Sequence, residues 1–192
     1  MGNRKTARYI LDMHYYNSLG NEQTSLKKIV NVTAKSLAIH CTHYYAQIID
    51  PVKGLKETKK SGKLPKNKKE KNILIENIIN WIFDNSKCDE LFTLFLDENM
   101  INSEDCTKFC HYDDTCCWDL NLTEAEFKAL QKELKQNNLP AEIFYDSSKT
   151  ICIDKDVGII GKIFRKLGFE CENTIYYSPK QWQSMKKQGG TQ

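Results

Sequence analysis

Between Lys53 and Lys71 the chain carries nine lysines against two acids, Glu57 and Glu70, a charge of +7 in nineteen positions with almost nothing apolar among them. A stretch of that composition cannot supply a hydrophobic core, so the apolar residues on either side of it must build one without it. With Gly54, Gly62 and Pro65 inside it, the run reads as a mobile loop and as the best boundary in the chain. The expected organisation is therefore an N-terminal helical segment over 1–52, a basic flexible loop over 53–71, a helical region over 72–138, a small α+β unit over 139–188 and a disordered tail over 189–192.

Around this run the charge is segregated. Residues 84–142 hold fourteen acids and five lysines, for −9, while residues 143–192 hold eight basic and five acidic side chains, for +3. The whole 192-residue chain nets only +3, and its 40% hydrophobic content is that of a folded protein rather than a disordered one. The longest apolar region, Ile73 to Phe83, is broken by Glu76, Asn77 and Asn80 and falls short of the roughly 18 apolar residues of a membrane span. The basic start Met1-Gly2-Asn3-Arg4-Lys5-Thr6 lacks the apolar segment of a secretory signal, so a cytoplasmic location is expected. Gly2 and Thr6 fit the myristoylation pattern, against which stands the plainer reading of a polar, frayed start. In a reducing compartment the eight cysteines are thiols rather than a disulfide framework, and Cys41, Cys88, Cys152 and Cys171, set among apolar neighbours, read as small core residues.

The periodicity favours helices early and strands late. Leu26, Ile29, Val30, Leu37, Cys41, Tyr44 and Ile48 fall at steps of three, four or seven, which predicts one long helix from Thr24 to the Asp50-Pro51 stop. Asn72–Phe83 and Cys88–Met100 read as two further helices, with Trp81, Phe83, Phe92 and Phe95 in the core. Thr123 and Glu126 form a capping-box pattern, which predicts a helix to about Asn138 with Phe127, Leu130 and Leu134 on its buried side. Glu142–Tyr145 and Thr150–Ile153 read as a hairpin, Asp156–Leu167 as a helix, Thr174–Tyr177 as a strand, and Ser178-Pro179-Lys180-Gln181 as the capped start of a last helix. The expected fold class is thus α+β, with a helix-rich N-terminal two thirds and a small C-terminal hairpin, helix and strand unit.

Reactive side chains concentrate in one place. Cys106, Cys110, His111, Cys116 and Cys117 offer four thiols and an imidazole within twelve residues, a ligand set that zinc would accept if helical spacing set Cys106 and Cys110 on one face. Cys106 and Cys110 are spaced C-x3-C rather than C-x2-C and no second knuckle follows, so ordinary free thiols are the competing reading. Adjacent His111 and Cys110 make a poor nucleophile and base pair, and no other cofactor motif stands out. The Gly158 to Lys162 stretch is G-x-x-G-K, but Ile163 stands where a P-loop needs a hydroxyl, and the loop residues are apolar where a KH loop is polar. A winged-helix-like arrangement would present Lys162, Arg165 and Lys166 from the same segment.

Two functional classes follow. The first is a non-enzymatic module that meets nucleic-acid phosphates through Lys56, Lys59, Lys60, Lys63, Lys66, Lys68 and Lys69 together with Lys162, Arg165 and Lys166. With 25 lysines and 3 arginines the chain has many point charges for phosphate and few planar forks for reading guanine edges, so little sequence specificity is expected. Against it, no aromatic residues interleave with the lysines for stacking. The alternative is a protein-binding adaptor or inhibitor that presents the acidic 84–142 region to a basic partner. An enzyme without a local motif is the third class.

Overall fold

The structure is a computed structural model, and it describes residues 6–12, 23–48, 58–85, 92–97, 107–111, 118–154 and 174–189. The chain divides into two compact units, 1–147 and 148–192. In chain order the first contains β1 (Ala7–Leu11), α1 (Gln23–Ala38), β2 (His43–Ile48), β3 (Thr58–Lys63), α2 (Lys68–Asn85), β4 (Phe92–Asp97), β5 (Thr107–His111), β6 (Trp118–Leu122), α3 (Glu124–Gln136) and β7 (Phe144–Asp146). The second contains β8 (Ile151–Asp154), β9 (Thr174–Tyr177) and α4 (Pro179–Gly189). The fold is α+β, as expected, but strands and helices alternate from the start, and the expected helix-rich N-terminal part is not found.

The seven strands of the first unit form one sheet in the order β3-β2-β4-β5-β6-β1-β7. Every pairing is antiparallel. Side chains alternate between the faces of a strand, so burial identifies the covered side. Tyr9 and Leu11 of β1, Ala46 and Ile48 of β2, Phe92, Leu94 and Leu96 of β4, and Leu120 and Leu122 of β6 are all buried. Against them pack Leu26, Ile29, Val30, Ala34 and Leu37 of α1, Ile75, Ile78, Ile79, Ile82 and Phe83 of α2, and Leu130 and Leu134 of α3. The result is two layers, three helices on one face of the sheet, with a single apolar core between them.

Several sequence expectations change here. The predicted helix to Ile48 stops at Ala38, and residues 43–48 turn into β2. Leu37, Cys41, Tyr44 and Ile48 keep helical steps, yet Tyr44, Ala46 and Ile48 also alternate, and pairing on both edges of β2 decides for strand. The predicted helix over Cys88–Met100 contains β4 instead, because its short, β-branched and aromatic run can be buried between two neighbouring strands. The predicted hairpin is absent: β7 pairs with β1, and β8 pairs with β9. Cys152, expected in a core, is exposed, whereas Cys41 is buried. Phe95 is half-buried on the side of the sheet away from the helices.

The basic run is not a loop over 58–71. Residues 58–63 form β3, an edge strand, and α2 begins at Lys68 rather than at Asn72. Asn67 caps that helix, its Oδ1 accepting from the backbone N–H of Lys69 at 2.8 Å and of Glu70 at 3.3 Å. Gly62 stands opposite Tyr44, and a Cβ there would lie 3.3 Å from Tyr44 Cε1, so the tyrosine ring lies against bare backbone. Lysines on an exposed edge also discourage pairing with another sheet.

The capping box at α3 forms as the sequence predicts. Thr123 Oγ1 accepts from the Glu126 N–H at 3.3 Å, and Glu126 Oε2 accepts from the Thr123 N–H at 2.7 Å. The helix ends at Gln136 with Asn137 as its C-cap, and Asn138 takes a left-handed φ of 55° two residues before Pro140. Thr123→Ala is expected to lower stability by about 1 kcal/mol. A urea midpoint indistinguishable from wild type would show the cap to be dispensable. In the second unit Ser178 Oγ accepts from the Gln181 N–H at 3.2 Å, the first half of the expected box at α4.

Candidate nucleic-acid interface

The face of the sheet away from the helices is set by the same alternation. In register, Lys59 stands opposite Gln47, Ser61 opposite Tyr45 and Lys63 opposite His43, and these continue onto Thr93, Phe95 and Asp97 of β4. Lys59, Ser61 and Lys63 are exposed, while His43, Tyr45, Gln47 and Phe95 are half-buried and Thr93 is buried. The rings of Tyr45 and Phe95 lie 5.9 Å apart and are tilted by 54°. Tyr45 Oη donates to Gln47 Oε1, which fixes the phenol along its own strand.

Lys60 belongs to the other face. Its ammonium lies 4.2 Å from the centre of the Trp81 ring of α2, a cation–π contact that closes the helix layer over the edge strand. Past β3 the chain exposes Lys66, Lys68 and Lys69 in the turn and first turn of α2, where the helix dipole is positive and Glu70 is the one acid. Lys59, Lys63, Lys66, Lys68 and Lys69 thus share one edge of the sheet and the helix start that follows it. Lys71 turns inward: it is buried, and its ammonium donates to the carbonyls of Ala38 and Cys41 at 2.8 Å each. Lys56, Lys162, Arg165 and Lys166 lie outside the described residues.

Four acidic groups of the 84–142 region lie against basic side chains, three from outside the region and one, Lys128, from within it. Arg8 binds Asp119 through two hydrogen bonds of 2.9 and 2.7 Å, Lys27 lies 3.9 Å from Asp84, His40 lies 3.8 Å from Glu126, and Lys128 bonds Glu124 at 2.6 Å. The bond from Lys128 holds the Glu124 carboxyl below its usual range and raises the lysine. None of these four basic side chains comes from the lysine run. Tyr9, stacked on Phe127 at 3.8 Å, has its phenol raised by burial and by the charges of Asp146 and Glu124.

Of the thiol cluster, Cys110 and His111 alone fall on described residues. Cys106, Cys116 and Cys117 lie outside the described residues, and Cys110 and His111 are consecutive positions of β5, not of a helix. Cys110 pairs in register with Phe95 and Asp119, and His111 with Leu94 and Trp118, positions that alternate across the sheet. Cys110 is therefore not on the helix that the expected spacing assumes. Among the described residues no group of three or more His, Cys, Asp or Glu side chains is arranged to hold a metal, and no helix is long and apolar enough to cross a membrane.

No protein-family model, no curated protein and no solved structure matches the chain. The site must be read from its own residues.

One part of it is hidden in the sequence and another is not. No aromatic residue stands between the lysines, but the neighbouring strands place Tyr45 of β2 and Phe95 of β4 in register with Ser61 of β3. The helix cap has a local signal, since Asn67 followed three residues on by Glu70 is a helix-start pattern, obscured by the lysines around it.

Proposed function

We propose that the protein is a non-enzymatic module that contacts nucleic-acid phosphates through the exposed lysines of β3 and the start of α2, with little sequence specificity. The observation that carries this reading is that residues 58–71 of the lysine run form an edge strand and a capped helix start, so the backbone that carries Lys59, Lys63, Lys66, Lys68 and Lys69 has a defined place. Lysines carried on a defined backbone bind a phosphate chain with less ordering cost than lysines on a flexible loop. Lysine neutralises phosphate without reading bases, and the scarcity of arginine leaves few side chains suited to guanine.

The adaptor reading is weaker, because Asp84, Asp119 and Glu124 each lie against a lysine or arginine of the chain itself. The test is the salt dependence of oligonucleotide binding by the full chain. Replacing Lys63, Lys66, Lys68 and Lys69 together with glutamine is expected to weaken binding and to reduce the slope of log affinity against log salt by about 0.7 to 0.9 for each phosphate no longer neutralised. Unchanged affinity and slope would overturn the proposal.

A further inference from the structure

We infer that the nucleic acid this site takes is single-stranded, with bases laid on Tyr45 and Phe95 and the backbone following the lysines of β3. The inference rests on the phosphate-contact reading and adds what that reading lacks, a surface for the bases. On the sheet face away from the helices, Ser61, Tyr45 and Phe95 form one cross-strand row, with Lys59 and Lys63 on either side of Ser61 along the edge strand. Neighbouring strands lie about 4.8 Å apart, so the rings begin one strand inward from the lysines. A polynucleotide lying along β3 would therefore set its phosphates against ammonium groups and its bases over the rings.

The rings decide the strandedness. In a duplex the base faces are stacked on one another and only the phosphate exterior reaches a protein's charges, so tyrosine and phenylalanine on a sheet gain nothing from it. A single strand exposes its base faces, and each base stacked on an aromatic ring adds to the electrostatic attraction without regard to sequence. Tyr45 and Phe95 sit 5.9 Å apart on adjacent strands, tilted rather than coplanar, and part of each remains open to solvent. The charge gradient also fits. Among the described residues, the acids on this face are on β4 and β6, Asp97 and the Arg8-bound Asp119, whereas the charges of β3 are lysines.

The experiment uses fluorescence anisotropy with the full chain, an oligo-dT, an oligo-U and a duplex of the same length. Wild type is expected to bind the single strands more tightly than the duplex at equal salt. Tyr45→Leu and Phe95→Leu keep apolar bulk but remove the ring, and each is expected to weaken single-strand binding by about 5- to 150-fold with the salt slope and duplex affinity unchanged. Tyr45→Phe keeps the ring and is expected to bind as wild type, which separates loss of stacking from loss of folding. Comparison of oligo-dT with oligo-U tells whether RNA or DNA is preferred. Wild-type single-strand affinity in both leucine variants, with the lysine variant impaired, would overturn this inference and leave the phosphate reading standing. If the lysine variant is unimpaired as well, both fall.

Discussion

Lys71→Met is expected to lower the stability of the folded chain by about 2 to 4 kcal/mol. The side chain comes from the lysine run but behaves unlike the rest of it, being 8% exposed with its ammonium donating to the Ala38 and Cys41 carbonyls. One carbonyl is that of Ala38, the last residue of α1, which also accepts from the Cys41 N–H at 3.0 Å, and the other lies in the turn after the helix, where no glycine or proline stops it. A cation at that end also meets the negative pole of the helix dipole. Each hydrogen bond from a charged donor is worth about 1.5 to 3 kcal/mol, and methionine returns the cost of burying an ammonium, so the net loss stays below the sum. Urea unfolding at constant m-value measures it. Lys66→Met and Lys69→Met, on exposed positions, are expected to change stability by no more than about 0.5 kcal/mol. A Lys71→Met loss as small as theirs would show that the α1 end does not depend on this capping.

The same residue explains why part of the fold cannot be read locally. Besides the local bonds from His40 and Cys41 N–H, the turn that ends α1 is held by a side chain from α2, thirty-three positions from Ala38 and thirty from Cys41, and no window of sequence around Ala38 contains it. At α3, by contrast, Thr123, Glu126 and Pro140 lie within or beside the helix they delimit, and start, buried face and stop are all legible. The strand state of Thr58–Lys63 lies at the other extreme, since Thr-Lys-Lys-Ser-Gly-Lys has little intrinsic strand preference and becomes one by pairing with β2 along its whole length. The candidate site inherits that difficulty. Its lysines are visible as a run, but its rings reach them across strand pairs, and the stretch whose periodicity predicts one long helix supplies Tyr45 from a strand.

Phe92→Ala is expected to cost about 3 to 5 kcal/mol, as large an effect as truncating any single core side chain should have. Phe92 is fully buried on β4, paired in register with Ile48, and its ring meets that of Phe83 at 5.4 Å and 57°. It therefore joins the sheet to α2, and truncation removes a tilted aromatic pair and leaves a cavity between two rigid layers that cannot close over it. A midpoint shift in urea equivalent to less than about 1 kcal/mol would mean that α2 settles into the space. Phe95 stands three residues further on, and odd spacing along a strand puts it on the opposite face, where it is half-buried beside Tyr45. Phe95→Leu should accordingly cost little stability, within about 1.5 kcal/mol, while weakening single-strand binding. Phe92→Leu should do the reverse, lowering the midpoint and leaving binding intact in the folded protein. If the two substitutions instead act alike on both measurements, the division of β4 into a packing face and a binding face is wrong.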